Sequence, residues 1–324
     1  MNPLAGVQGA VRIVEVGPRD GLQNQPTIYS TETKRRLVEA LFAAGLREVE
    51  VTSFVRADRV PQLADADALL PLVLRPGAQD SKDSKDGFAR LSDSAPRHCL
   101  ALVANERGLE RALAAGGRHI SVLAAASDGF SRANTGRPAD EGIELAGRLA
   151  ASARARGCWV RGYVSTCFRD PYDGPVAPGR AVEACQRIAA AGVDEVVVSD
   201  TLGDADPRQI VAVCQPLVGS LGADRLALHL HDTHGLAMAN LLVALEIGLR
   251  SFDGSVGGLG GCPFAPGAAG NVATEQLVRL CERIGLPTGV DIEGLRLARA
   301  VLDGAMEPER ARIGAETDAS LRSG

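Results

Sequence analysis

The chain is 324 residues long, 45% hydrophobic and 23% charged, with a formal net charge of −5. That supplies ample apolar side chains for a substantial core, in one large domain or two ordinary ones. Mild acidity without a basic run argues against nucleic acid as a partner. No continuously apolar stretch approaches the roughly 18 residues that a membrane span needs. Aromatic residues make up only 3%, so the core must rest on Ala, Val and Leu. The seven cysteines are Cys99, Cys158, Cys167, Cys185, Cys214, Cys262 and Cys281. None shares a CxxC spacing with another, which excludes a disulfide framework or zinc knuckle and predicts a reducing, cytoplasmic location. The N-terminus, "MNPLAGVQGA", has neither the basic start nor the apolar stretch of a signal peptide.

In chain order, eight short apolar runs read as strands. They are "VRIVEV" at 11–16, "EVEVT" at 48–52, "CLALV" at 99–103, "HISVLA" at 119–124, "WVRGYVS" at 159–165, "EVVVSD" at 195–200, "LALHLH" at 226–231 and "SFDGSV" at 251–256. A helical pattern follows each, as in "TETKRRLVEALFAAG" and "PGRAVEACQRIAAAG", and several close on Gly as helix ends do. Eight alternations predict a single (β/α)₈ (TIM) barrel over 1–324 rather than an open sheet. A doubly wound sheet would want a glycine-rich phosphate loop after strand 1, and "GPRDGLQN" is not a GxGxxG. Residues 75–97 are polar and low in complexity, which predicts a flexible insert between helix 2 and strand 3. The tail at 305–324 is also polar.

Barrel chemistry sits at the C-terminal ends of the strands. Polar residues converge there: Arg19 and Asp20 after strand 1, Glu50 near the end of strand 2, Ser165 at the end of strand 5, Asp200 at the end of strand 6, and His229 and His231 at the end of strand 7. The loop "GGLGGCPFAPGAAGN" after strand 8 adds Cys262 and Asn271. Residues two apart on a strand share a face, so both histidines point into the barrel mouth. Two crowded imidazoles are costly if one is charged and unpaired, and a shared metal removes that cost. The predicted ligands are Asp20, His229, His231 and Asn271. This mixed N/O set suits a divalent ion, Mg²⁺ or Mn²⁺, that keeps open positions, not a closed zinc site. Glu50 lies between Val49 and Val51, so its charge needs a partner, and Arg19 is the obvious one.

The stretches "VEVGPRDGLQN", "EVTSF", "RGYVS", "SDTLG", "LHLHDTHG" and "GLGGCPFAPGAAGN", in this order, resemble the hydroxymethylglutaryl-CoA lyases. These are metal-dependent TIM-barrel lyases, in a superfamily that includes isopropylmalate synthase. The resemblance runs from about residue 11 to about 303. It implies cleavage of (S)-3-hydroxy-3-methylglutaryl-CoA to acetyl-CoA and acetoacetate. It further implies Arg19 beside the thioester carbonyl, Glu50 supporting the metal site, and Asp200 near the substrate. Cys262 is then implied in proton transfer. Asp20, Asp200 or a metal-bound water is the candidate for hydroxyl deprotonation. Substrate contacts fall to Arg19, Gln23, Ser165 and Asn134, with Ser127 and Arg132 nearby for an acyl-CoA. A homodimer is compatible with the family, through helix 8 and the tail.

Some of these residues have plainer readings. Asp200 could only cap the turn after it, and Cys262 could be a packed thiol. Two stretches depart from the family pattern: His234 stands where tyrosine is usual, and "YVSTCFRDPYDG" replaces a cysteine-rich loop. The main alternative is therefore a related lyase acting on citramalyl-CoA or a longer branched 3-hydroxyglutaryl-CoA. A non-catalytic metal-binding scaffold would have lost the arginine, the acid or the loop cysteine, and all are present. Schiff-base chemistry needs a lysine at a strand end, and none is found there.

Overall fold

The computed structural model describes residues 7–74, 96–261 and 270–304. Eight parallel strands close into a barrel: β1 (Arg12–Glu15), β2 (Glu48–Ser53), β3 (His98–Val103), β4 (His119–Ala125), β5 (Trp159–Ser165), β6 (Glu195–Asp200), β7 (Leu226–Leu230) and β8 (Ser251–Gly254). Pairing of β1 with β8, from Arg12↔Ser251 to Glu15↔Gly254, seals the ring. The alternation of strand and helix predicted this TIM barrel. Each expected strand lies within two residues of its observed bounds.

The outer ring holds α1 (Thr31–Ala43), α2 (Ala66–Leu74), α3 (Glu106–Ala114), α4 (Asp128–Thr135), α5 (Ala139–Ala155), α6 (Pro178–Ala190), α7 (Pro207–Leu221), α8 (Ala237–Glu246) and α9 (Thr274–Arg283). A last helix covers 292–304. Local chemistry sets the starts. The Ser30 side chain accepts from Thr33 N–H ahead of α1, and Asp206 with Gln209 forms a capping box ahead of α7. Each such cap satisfies otherwise orphaned N–H groups. The short α4 lies ahead of the long α5 in the connection after β4. A distant acid helps to hold it, because Asp170 accepts the Phe130 N–H at 2.8 Å. A long-range partner of this kind leaves no local signal. The insert occupies the α2–β3 connection; its residues 75–95, the tail 305–324 and Cys262 lie outside the described residues.

The main core fills the layer between sheet and helices, with Leu37 and Leu41 of α1 against Val49 and Val51 of β2. Full burial of such a side chain contributes about 1.5–3 kcal/mol, so this layer carries the fold. Inside the barrel, apolar contact shrinks to two small clusters, Val14–Val16–Leu100 and Leu102–Tyr163–Val197–Ala227. The buried polar residues of the strands include the charged Glu50, Arg161, Glu195 and Asp253 together with uncharged Ser121 and Ser199.

Candidate active site

After β1 the backbone makes one π-type turn, Gly17–Gly21, which carries Arg19 and Asp20. Such turns recur at functional sites. Glu15 holds it from the outer face of the sheet. Its Oε1 accepts the N–H groups of Gly17 and Val256, each at 2.8 Å, and its Oε2 accepts from Thr274 Oγ1 at 2.6 Å. One carboxyl group thus ties the turn after β1 to the turn after β8. Burial pushes its pKa up to about 8, against the pull of those three bonds.

Asp20, His229 and His231 carry ligand atoms that all lie within 4.8 Å of one another. The two imidazole rings are 5.2 Å apart. Asn271 joins them through a backbone bridge to His231, and its Nδ2 donates to Asp20 Oδ2 at 2.8 Å and to the Leu259 carbonyl at 3.1 Å. Its Oδ1 and the Nδ1 of His231 are buried with no hydrogen-bond partner among the described residues. Unpaired buried polar atoms cost about 1–3 kcal/mol each, and a cation among them relieves that cost. Two imidazoles, a carboxylate and an amide oxygen fit a hard divalent ion.

Arg19 lies beside this group. Its Nε donates to Glu50 Oε2 at 2.5 Å and its Nη1 to Asp20. The register of β2 on β3 shifts between Glu50 and Thr52, an irregularity of the kind that re-aims side chains. Burial alone would raise the Asp20 pKa, but Arg19 and the two histidines hold it well below the usual carboxylate range. Burial would lower His229, yet the Asp253 carboxylate, 3.0 Å from its Nδ1, leaves it above the ordinary histidine value. Burial and the neighbouring His229 depress His231 to about 4. His231 is therefore neutral at pH 7, the form that ligates a metal.

Asp200 stands at the end of β6, where its oxygens accept the N–H groups of Asp204 and Ala205, both at 3.1 Å. Burial lifts it to about 6 despite these bonds. Ser165 is buried at the end of β5. The next residue, Thr166, is the non-glycine residue with positive φ among the described residues, at 53°. Thr166 is pinned by Ser127 Oγ at 2.6 Å and Thr201 Oγ1 at 2.8 Å. Strained backbone of this sort gathers at functional sites. Gln23 is half-buried just past the π-turn, whereas Arg132 and Asn134 are exposed on α4. His234 falls in the turn ahead of α8 and faces Asp204 at 3.3 Å.

The sequence reading missed Arg161, Tyr163, Glu195 and Asp253, which fill the barrel below the site. Arg161 Nε donates to Glu195 at 2.6 Å, and its Nη2 donates to Asp253 at 2.7 Å. The signal was available. A charge inside an apolar strand must have a partner, the same argument that flags Glu50. Among the described residues, no helix is long and apolar enough to cross a membrane.

The HMGL-like family matches residues 10–302. The chain is 39% identical over 286 residues to an (R)-citramalyl-CoA lyase of Chloroflexus aurantiacus, covering 88% of each protein. It is also 39% identical over 292 residues to a 3-hydroxy-3-methylglutaryl-CoA lyase, named as cytoplasmic, of Rattus norvegicus, covering 90% of this chain and 80% of that one. The solved structure of an HMG-CoA lyase of Acinetobacter baumannii, in complex with coenzyme A and 3-methylmalate, superposes with a TM-score of 0.79 at 31% identity. That match covers 91% of this chain and 92% of the other. A barrel with this rim, matched along nearly its whole length, belongs to the HMGL-like family of lyases.

Proposed function

We propose that the protein is a divalent-metal-dependent lyase that cleaves 3-hydroxy-3-methylglutaryl-CoA to acetyl-CoA and acetoacetate. The observation that carries this reading is Arg19 set directly beside the Asp20–His229–His231 group. A bound Mg²⁺ or Mn²⁺ would supply Lewis acidity and a template for the substrate's hydroxyl and carboxylate. Asp20, His229, His231 and Asn271 would hold it.

The chain's own groups account for the remaining chemistry. Cleavage breaks a C–C bond, and its electron pair becomes the enolate of the acetyl thioester. Arg19 is aimed by Glu50 and Asp20, and its Nη2 is committed to neither. A fixed guanidinium at the thioester oxygen stabilises that enolate. Asp20 accepts the hydroxyl proton. Paired with Arg19 it is a weak base, but a thioester oxygen that draws Nη1 away restores its basicity. Asp200 has the higher pKa, yet its oxygens are bonded to its own loop. Cys262 then returns a proton to the enolate carbon. Gln23, Ser165 and Asn134 contact the acyl-CoA from the rim. The rat relative and the buried free thiols support a cytoplasmic location.

Citramalyl-CoA is the second reading, favoured by the equal identity to the Chloroflexus enzyme and by His234. The two substrates differ by one methylene between the carbinol carbon and the carboxylate. Hydroxyl and carboxylate would chelate in a six-membered ring for the first and a five-membered ring for the second. The test is metal-stripped protein given Mg²⁺ or Mn²⁺ with each thioester, following acetyl-CoA release. Metal-dependent release from 3-hydroxy-3-methylglutaryl-CoA, lost in Arg19→Met and His231→Ala, supports the proposal. Release from citramalyl-CoA alone keeps the mechanism and changes the substrate. No release from either rejects the substrate assignment.

A further inference from the structure

Arg161, fully buried on β5, reaches toward both halves of the candidate centre. On one side its Nη2 donates to Asp253 Oδ1 at 2.7 Å, and the other oxygen of Asp253 lies 3.0 Å from His229 Nδ1. On the other side its Nη1 donates to the Tyr163 hydroxyl at 2.8 Å. That hydroxyl lies 3.5 Å from Glu50 Oε2, which receives Arg19 Nε. Tyr163 also lies between the two guanidiniums, its ring centre 5.1 Å from Arg161 and 5.7 Å from Arg19. The third direction of the fork is anchored below, where Nε meets Glu195 at 2.6 Å and Glu195 in turn meets Arg12.

The geometry points to Arg161 as a positioning residue that holds His229 and Arg19 in register, so that the metal-binding and carbonyl-binding halves of the site move as one unit. The inference rests on the reading of Asp20, His229 and His231 as a metal centre. Its physical basis is the shape of guanidinium, a rigid plane with donors in three directions. A carboxylate gripped by Arg161 presents its second oxygen to His229 Nδ1. That fixes the Nδ1–H tautomer and turns the Nε2 lone pair toward the ligand position. Outer partners of this kind typically change metal affinity about 10–100-fold when removed. The Tyr163 arm instead steadies Glu50, and through it Arg19, which makes no metal bond. A lysine at 161 offers one nitrogen and cannot span the three directions.

The test uses full-length protein and two readouts: Mn²⁺ affinity by titration calorimetry, and kcat and KM for acyl-CoA cleavage. Asp253→Asn is expected to weaken Mn²⁺ binding at least about tenfold and to move the ¹⁵N shifts of His229 away from a single tautomer. Tyr163→Phe is expected to leave Mn²⁺ affinity within twofold and lower kcat at unchanged KM. Arg161→Lys is expected to do both. Adding Asp253→Asn to it should then cost little further affinity, because the arm is already loose. Wild-type Mn²⁺ affinity in Arg161→Lys, or full additivity of the pair, overturns the inference. If Arg161→Lys does not fold, the single variants decide: Mn²⁺ loss that is equal in Asp253→Asn and Tyr163→Phe also overturns it. If wild-type protein binds no Mn²⁺, or His231→Ala binds it equally well, the metal-centre reading fails and takes the inference with it.

Discussion

Glu15 is expected to carry a proton in the folded protein at neutral pH, and Glu15→Gln tests this directly. A protonated Glu15 keeps both N–H acceptances on Oε1 and turns an O–H toward Thr274, whose hydroxyl can accept as well as donate. Glutamine reproduces that arrangement with an amide N–H. The folded pKa of about 8, against 4.5 for a free glutamate, fixes the sign. Between those values the folded state holds the extra proton, so stability falls as pH rises. This contribution is fully present below 4.5 and is lost as pH passes through 8. At about 1.4 kcal/mol per pH unit, wild-type protein should lose roughly 2–3 kcal/mol from this group between pH 6 and pH 9. Glutamine does not titrate, so the variant lacks that loss. The assay is paired urea unfolding of wild type and Glu15→Gln across that range and below it, where all other groups cancel in the difference. Below about pH 4.5, where both states of the wild type are protonated, the two should agree within about 1 kcal/mol, as suits a matched hydrogen bond. By pH 6 the variant should already be the more stable by about 2 kcal/mol, and the gap should widen further to pH 9. Curves that stay parallel from pH 6 to pH 9 would refute a protonated Glu15.

Gly260→Ala should damage the centre while leaving the barrel folded. A Cβ there lies 2.5 Å from Asn271 Nδ2, on backbone at φ 137° that side chains rarely adopt. Weaker Mn²⁺ binding with an unchanged far-ultraviolet circular dichroism spectrum is the expected result. Chelator treatment should abolish acyl-CoA cleavage, and Mn²⁺ or Mg²⁺ should restore it, as activity assays before and after metal addition will show. Asp200→Asn places an amide N–H against one of the two backbone N–H groups that the carboxylate now accepts. It should destabilise by about 1–3 kcal/mol in urea unfolding and speed proteolysis after β6. Arg19→Met, which removes the cation proposed to stabilise the enolate, should lower kcat by about 10²–10³ while Mn²⁺ affinity stays near wild type.

Legibility followed the range of the forces involved. Strand and helix order is written in local periodicity, so the barrel could be read from apolar runs and glycine punctuation. The rim could be read because polar residues end apolar strands there, which marks Arg19, Asp20, His229 and His231 together. What stayed hidden depends on partners far along the chain. Arg161 and Asp253 are 92 positions apart and meet only across the closed ring. The role of Glu15 was equally hidden. It reads as one more polar residue in a short strand until Val256 and Thr274 arrive from the other end of the sequence.

The interior charges explain why the histidines sit where they do. The linked network beneath and around the site contains three guanidiniums, Arg12, Arg19 and Arg161. It contains five carboxylates: Glu48, Glu195, Asp253, Glu50 and Asp20. Three positive and five negative formal charges leave −2. A purely structural network inside a barrel gains nothing from such an excess, since each uncompensated buried charge costs several kcal/mol. At the lower end Arg12 faces both Glu48 and Glu195, while Arg161 divides itself between Glu195 and Asp253. The compensation missing from the network is therefore supplied most simply at the upper end, where Asp20 meets two imidazoles and an unpaired amide oxygen. A cation of charge two held there would neutralise the whole column, and the neutral nitrogen of His231 would add a ligand without adding charge. The polar interior and the proposed metal site would then be parts of one electrostatic unit, so breaking the column at Arg161, one residue removed from His229, should be felt at the mouth.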